Sequence, residues 1–427
     1  MESTVVEEGY PITFHQKEAL ELGTYLKNRH SVVLIGMRRV GISNFLRFFL
    51  YHKDISKTYI KDGKNHLFIN VDLNDLVERE IAPFWVLTLK RIADSVEKSD
   101  LPTEVKKRIQ NLFLESIQIQ DLFFTIDSVR KSLSLIVDNR LLPTIFFIQF
   151  DRLKDAYTND FLANLVGLRE GLHQKLSYVF TSYRDLHSIS PKIFTKHFLL
   201  LFANDMYLSP VNKQDVETIY QSFIEHYGLN ISQELKKELF DLVDGYVRYL
   251  QLSLILFSED RSLEKQAGGL FEKLLGNESI RLQSEELWES LTKVEQEVVL
   301  KIASQEKLTN ADKSAADYLL KTGVVVENKL FSPLFQNFVL NADRDKEIVV
   351  DFTKKEQLLI NLLKSRVEEI VEREEIIETV WPEVEALGVS DWAIDRLVAR
   401  VRGKLKVKDS KYEIQTVKTR GYKLISR

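Results

Sequence analysis

Two hydrophobic periods take turns along the first 210 residues. Short apolar or alternating runs occupy residues 31–35 (SVVLI), 66–73 (HLFINVDL), 144–150 (TIFFIQF) and 176–181 (LSYVFT), with a further stretch at 198–201 and 206–208. These runs predict strands, and the continuous one at 144–150, introduced by Pro143, suits the middle of a parallel sheet. Between them apolar residues recur every three or four positions. That spacing predicts helices over 16–28, with Leu20, Leu22 and Leu26 on the apolar side, over 43–50, and through a long region from 81 to 138. Strands alternating with helices predict an α/β sheet wound by right-handed crossovers.

The pattern changes after residue 206. A helical region opens at Tyr207-Leu208-Ser209-Pro210 and runs to about 283. Over 284–340, Thr292 caps a helix with Glu295 in its first turn, and a second helix is predicted over 315–320. Gly323 and two strands at 324–326 and 329–332 complete a unit that resembles a winged helix. The last stretch predicts three more helices, opening at Thr353, near Arg373 and at Val389-Ser390-Asp391, and then a hairpin turning between Thr419 and Gly421.

Composition narrows the class. The 427 residues are too many for one core, and 44% hydrophobic with 29% charged residues fits a soluble globular chain. No apolar run approaches the roughly 18 residues that span a bilayer. The opening MESTVVEE is acidic and lacks the basic and apolar regions of a signal peptide, so a cytoplasmic protein without membrane contact is expected. The chain has no cysteine, which excludes disulfides, thiolate metal sites and cysteine nucleophiles. Its eight histidines are scattered and no His/Asp/Glu cluster has metal-ligand spacing, so no metal site is expected. The net charge of −4 hides a basic end: from Arg396 to Arg427 there are eleven basic residues against Asp409 and Glu413. That local excess points to a polyanion partner.

Two stretches carry candidate chemistry. Between the strand at 31–35 and the helix at 43–50, Gly36-Met37-Arg38-Arg39-Val40-Gly41-Ile42-Ser43 has the G-x-x-x-x-G spacing of a phosphate-binding loop. Its glycines let the backbone curl so that N–H groups surround phosphate oxygens at a helix N-terminus. The motif requires a lysine where this chain has Ile42. The stretch resembles the loop of archaeal-type AAA+/STAND ATPases, which reads as an apolar strand followed by G-x-R-R-x-G-K-S. On that resemblance Gly36, Arg38, Arg39, Gly41, Ile42, Ser43 and Asn44 are the candidate nucleotide-binding residues.

Further along, Phe150-Asp151-Arg152-Leu153 resembles the end of the family's Walker B strand, D-E-F-D-R-L, with Ile148 and Gln149 in place of the metal-binding Asp and water-activating Glu. An alternative alignment takes Asp151 as the acid and leaves Arg152 in the glutamate position; both lose the general base. Thr181-Ser182-Tyr183-Arg184 falls where the family has its polar sensor, and residues 244–250 (DGYVRYL) resemble its G-G-x-P-x-Y-L lid motif with Val247 for proline. Phosphoryl transfer needs cationic charge and a positioned water, so hydrolysis is expected to be lost and no catalytic residue is assigned. ATP or ADP bound without efficient turnover, or a site kept only as a structural relic, remain the two expectations.

Residues 346–427 resemble the effector winged helix of OmpR/PhoB-type response regulators. That family reads L-T-x-x-E, R-E-x-L-x-x-x-W, V-x-x-x-I-x-R-L-R-x-K-L and T-V-R-G-x-G-Y. Here Thr353 and Glu356, Arg373-Glu374 and Trp381, the helix through Ile394 to Leu405, and Thr416-Val417 to Tyr422 follow in the same order, with Val401 for Leu and Thr419 for Gly. Ile394, Leu397, Val401 and Leu405 have the spacing to bury one face of the third helix. Arg396, Arg400 and Lys404, four apart, share another face, expected to be free for a major groove. The candidate DNA-binding residues are Ser390, Arg396, Ala399, Arg400, Arg402, Lys404, Thr416, Lys418, Thr419, Arg420 and Tyr422, although Tyr422, with Trp381, also suits a core or hinge position. Gly421 permits the tight hairpin.

The fold class expected is α/β, a P-loop parallel-sheet domain followed by a helical lid and two winged-helix domains, with boundaries at 1–205, 206–283, 284–345 and 346–427. The function expected is a sequence-specific regulator of transcription that binds double-stranded DNA, in which a STAND-like module senses a partner, binds nucleotide or assembles into a homo-oligomer. Two alternatives stay open: an ATP-dependent switch with slow hydrolysis and DNA as output, and a protein-binding scaffold with no nucleic-acid role.

Overall fold

The computed structural model describes residues 5–195, 198–265, 268–341, 352–382, 389, 391–407, 412–417 and 420–426. The chain forms two compact units, Met1–Ser222 with Asp244–Val247 and Asp317–Val326, and Phe223–Val243 with Arg248–Ala316 and Glu327–Arg427.

The first unit runs α1 (Gln16–Lys27), β1 (Val32–Gly36), α2 (Ile42–Tyr51), β2 (Asn65–Asp72), α3 (Ile81–Glu97), α4 (Thr103–Ile119), α5 (Leu122–Asp138), β3 (Leu141–Ile148), α6 (Asn159–Gly171), β4 (Ser177–Ser182), α7 (Leu186–Ile189), α8 (Leu199–Phe202), β5 (Asp205–Leu208) and most of α9 (Lys213–Tyr227). Its five strands are parallel in the order β2-β3-β4-β1-β5, which bears out the α/β fold class. β1 lies between β4 and β5, paired Val32 to Val179 on one side and Val33 to Asp205 on the other. Helices cover both faces, so the inner strands β1, β3 and β4 are buried almost end to end, whereas β2 at the sheet edge alternates buried and half-buried positions. On one face Ile69, Val71, Ile145, Phe147 and Phe180 pack with Phe84, Trp85, Leu89 and Leu133 from α3 and α5. On the other, Phe49 of α2 meets Phe68 and Phe146 at ring-centroid distances of 5.8 and 6.3 Å.

Several expectations need correction. Leu20 is 51% exposed, and α1 buries Ala19, Leu22, Gly23 and Leu26 instead. The region 81–138 is helical as expected and divides into three helices: Pro102 starts α4, and the Asp121 carboxylate caps α5 by accepting from the Phe124 N–H at 2.7 Å. Pro143 sits inside β3, opposite Leu67 of β2 and one residue before pairing with β4 begins at Thr144. Its missing N–H is tolerable there because the strand has one neighbour at that point. Residues 198–201 are not a strand: Phe198 caps the short helix α8, and the sheet edge is β5 alone. Four apolar residues in a row do not distinguish strand from helix.

The second unit holds α10 (Gln233–Val243), α11 (Val247–Glu259), α12 (Leu270–Leu275), α13 (Glu278–Ser290), α14 (Lys293–Ala303) and α15 (Asn310–Ala315). The predicted helix at 315–320 breaks at Ala316, and α16 (Asp317–Lys321) with β6 (Val325–Val326) belongs to the first unit. Then come β7 (Lys329–Leu330), α17 (Pro333–Asn341), α18 (Lys354–Ser365), β8 (Ile370–Glu372), α19 (Arg373–Val380), α20 (Asp391–Val407), β9 (Tyr412–Val417) and β10 (Gly421–Ser426). Thr292 caps α14 in a reciprocal box with Glu295, as its sequence predicts. The last three strands form an antiparallel sheet in the order β8-β10-β9 over the apolar faces of α18, α19 and α20. Gly421 has a second reason to be glycine: a Cβ there would lie 2.1 Å from the Val371 carbonyl oxygen, where β10 crosses β8.

Candidate functional site

The phosphate-type loop leaves β1 at Gly36 and enters α2 at Ile42, at the carboxyl edge of the sheet where ligands of open α/β folds bind. Arg39 (φ 61) and Gly41 (φ 117) supply the left-handed turns that curl it. The space beside Gly36 is occupied by apolar groups: a Cβ on Gly36 would lie 2.8 Å from Val40 Cγ1 and 3.2 Å from Ile42 Cδ1. Ile42 therefore lies over the start of the loop without bringing a charge. Arg38 is committed elsewhere, its guanidinium 3.8 Å from the centroid of the Tyr183 ring. The Arg38 carbonyl accepts a 2.6 Å bond from the Tyr246 hydroxyl, and Val247 Cγ2 lies 3.1 Å from where a Gly41 Cβ would sit. Residues Asp244–Val247, the start of the lid-like motif, thus brace the loop within this unit. Gly245 (φ 80) is needed there, since a Cβ would meet the Val211 carbonyl oxygen at 2.2 Å.

Ser43 is exposed at the helix start. Asn44 is turned away from the loop: it is buried and donates to Glu7 Oε1 at 3.2 Å, an oxygen that also takes two bonds from Arg47 at 2.9 and 2.7 Å. Of the expected nucleotide-binding residues, Asn44 therefore has its side chain engaged away from the loop. β3 ends at Ile148, Gln149 follows in the left-handed region, and its N–H donates to Thr181 Oγ1 at 2.7 Å. Asp151 lies in the next turn. Burial pushes its carboxyl above the ordinary range, and the charge of Arg38 is the largest force pulling it back. Among the described residues no three His, Asp or Glu side chains are grouped to hold a metal. The loop's backbone N–H groups and the exposed Ser43 hydroxyl are of the kind that accommodate phosphate oxygens, and Arg39 is half-buried beside them.

The C-terminal region builds a different surface. Thr353 and Glu356 cap α18 reciprocally, the Thr353 N–H donating to Glu356 Oε2 at 2.8 Å. The same oxygen accepts from Lys404 Nζ at 2.6 Å, and both side chains are nearly buried. α20 buries Ile394, Leu397, Val398, Val401 and Leu405, the expected face with Val398 added. Arg402 ties α20 to the hairpin through Nε to the Ile414 carbonyl at 2.9 Å and Nη2 to Thr416 Oγ1 at 2.8 Å. Ala399 is exposed, and the Arg420 side chain is 60% exposed, with Glu372 at 3.7 Å.

Three of the candidate DNA contacts, Ser390, Lys418 and Thr419, lie outside the described residues. Two others are core groups. Lys404 is held by Glu356, and Tyr422 is 2% exposed with its hydroxyl between Asp395 and Arg373 Nη2, the latter at 3.0 Å. Burial pushes the Tyr422 phenol well up. Nor is the face of Arg396 and Arg400 free. Arg396 donates to Glu285 Oε1 from Nε at 2.8 Å and Nη2 at 2.5 Å, and Nη2 lies 3.2 Å from Glu289. Arg400 lies 3.9 Å from Glu285 with its side chain 16% exposed. The sequence reading missed these glutamates; their spacing of four along α13 was the available signal.

Residues 345–424 match the family described as "Transcriptional regulatory protein, C terminal". This bears out the OmpR/PhoB-type resemblance of the C-terminal region. A comparison with curated proteins returned no match. Among solved structures, the chain is similar to the Walker-type ATPase paby2304 of Pyrococcus abyssi (16% identity, 77% of this chain and 96% of that chain covered, TM-score 0.46). It is also similar to the ORC2 protein of Aeropyrum pernix (13%, 81% and 98%, 0.47) and the ORC1 protein of the same organism in complex with DNA (13%, 100% and 91%, 0.38). Among the described residues no helix is long and apolar enough to cross a membrane.

Proposed function

We propose that the chain is a sequence-specific regulator of transcription that binds double-stranded DNA through α20 and the β9–β10 hairpin. The observation that carries this reading is the match of residues 345–424 to a transcriptional-regulator family on a helix-and-hairpin unit of the expected order. Its geometry supports the reading. Arg402 couples α20 to Thr416 at the hairpin, so helix and wing present one basic edge, and Arg420 extends into solvent near the hairpin turn. Arginine on a helix suits bidentate bonds to guanine, and cations on a wing suit phosphate or the adjoining minor groove.

In this reading the P-loop-type unit is a frame without efficient hydrolysis. Ile42 brings no charge, Arg38 is spent on Tyr183 and Asp151, and Ile148 and Gln149 hold the positions of a metal ligand and a base. Losing a single oxyanion-type donor costs roughly 3 kcal/mol of transition-state stabilisation, and several are missing here. Nucleotide held by the backbone loop, or a protein partner, is then the input to the regulator.

Titrating the full chain into labelled duplexes at several salt concentrations tests the DNA reading. Arg420→Ala should weaken binding and lower the log–log salt slope by about one, as loss of one phosphate contact does, and Arg400→Ala should weaken it further. Unchanged affinity in both variants overturns this assignment of the surface. Phosphate release from Mg²⁺ and ATP should stay at background; brisk release abolished by Ser43→Ala would favour a working ATP switch instead.

A further inference from the structure

α13 presents Glu278, Glu285 and Glu289 to the C-terminal helices. Glu285 and Glu289 hold Arg396, Glu289 Oε2 accepts the Trp392 indole N–H at 3.1 Å, and Glu278 Oε1 accepts from Thr353 Oγ1 at 3.0 Å. Lys355 Nζ reaches Ser279 Oγ at 2.9 Å. Beneath the polar contacts, Leu282 of α13 and Ile255 of α11 join the core cluster of Leu359, Ile394, Leu397 and Val401. The contact is therefore built of ion pairs around a small apolar centre.

Arg400 is the exception inside it. None of its three guanidinium nitrogens has a hydrogen-bond partner, although all are buried. Charges facing it come from Glu285, Glu278 and Glu356, with Arg281 opposing. A guanidinium withdrawn from water without hydrogen bonds is poorly satisfied. A duplex offers what it lacks, since phosphate oxygens and the guanine edge accept from arginine in the same forked geometry as a carboxylate.

We propose that α13 is an acidic cover over the DNA-reading face of α20, standing in for nucleic acid and competing with it for Arg396 and Arg400. The inference rests on the DNA-binding reading above. The described conformation is then an off state, and duplex binding requires α13 to part from α20. The ion pairs of the partly exposed Arg396 contribute modestly, so parting α13 from α20 is opposed chiefly by the small apolar centre of Leu282 and Ile255.

The test uses the full chain and a pool of labelled random-sequence duplexes at about physiological salt. Glu285→Gln with Glu289→Gln should tighten binding about five- to tenfold, whereas the equal charge change in Glu297→Gln with Glu306→Gln, exposed acids away from α20, should alter it less than about twofold. Because the chain has no cysteine, Glu289→Cys with Trp392→Cys supplies the only thiols, and a short bis-maleimide between them locks the cover. The locked protein should lose duplex binding that the unlinked double variant shows. Locked protein that binds as well as unlinked, or glutamine variants that bind no better than the charge control, overturns the cover while an effect of Arg420→Ala leaves the DNA reading standing. Absence of duplex binding by every variant at low salt overturns both.

Discussion

At the scale of single residues, two positions are pinned by space and charge. Gly421 sits where β10 crosses β8, and a methyl group there would press on the Val371 carbonyl. Gly421→Ala should destabilise the C-terminal domain by about 2–3 kcal/mol, read as a lower midpoint in denaturant, because backbone cannot yield as a flexible side chain can. Asp312 is fixed by charge. It accepts from Lys301 Nζ at 2.8 Å and from the Thr309 N–H at 2.8 Å, and its carboxyl is lowered to about 2. The acid is thus harder to protonate in the folded chain than in the unfolded one. Its contribution is fully present above an ordinary carboxylate pKa of 3.8 and is lost as pH falls through about 2. Side-chain carboxyl NMR should show Asp312 titrating last among comparable aspartates, and Lys301→Ala should move it back up.

At the scale of elements, α18 and α20 depend on one carboxylate. Glu356 completes the cap of α18 and neutralises Lys404 of α20 through the same oxygen. Glu356→Ala removes a cap and leaves a nearly buried ammonium uncompensated, so it should cost about 3–5 kcal/mol in equilibrium unfolding. Replacing both partners by apolar residues should cost much less. Elements were legible in the sequence wherever period and cap agreed: Thr353 with Glu356, Thr292 with Glu295, and the continuous run of β3. They were illegible where a short apolar run fitted both periods, as at 198–201, and where helix breaks rest on single residues such as Asp121 and Ala316.

For the whole molecule, the alternation of strands with helices and the helix-and-hairpin end followed from the spacing of apolar positions, because burial sets that spacing directly, whereas the lateral order β2-β3-β4-β1-β5 leaves no such local trace. The site was legible only in part. Local spacing was enough to mark the turn glycines Gly36 and Gly41 and the exposed Arg420 beside the hairpin turn, since each turn is set by residues close in sequence. The partners of Asn44, Lys404, Arg396 and Arg400 were hidden, because Glu7, Glu356 and Glu285 are brought to them by tertiary packing across long stretches of sequence. Binding to duplexes should fall steeply with added salt, tested by affinity at two or more ionic strengths, even though the chain as a whole is acidic.

The buried Arg400 has a consequence for selectivity. When only the parted fraction of molecules can engage a duplex, every target sees its apparent affinity divided by the same factor. Changes on α13 therefore shift the apparent affinity for strong and weak targets by one common factor, and the ranking of targets stays with α20 and the hairpin. How much of the genome is occupied and which addresses are preferred would then be inherited, and altered, through separate residues.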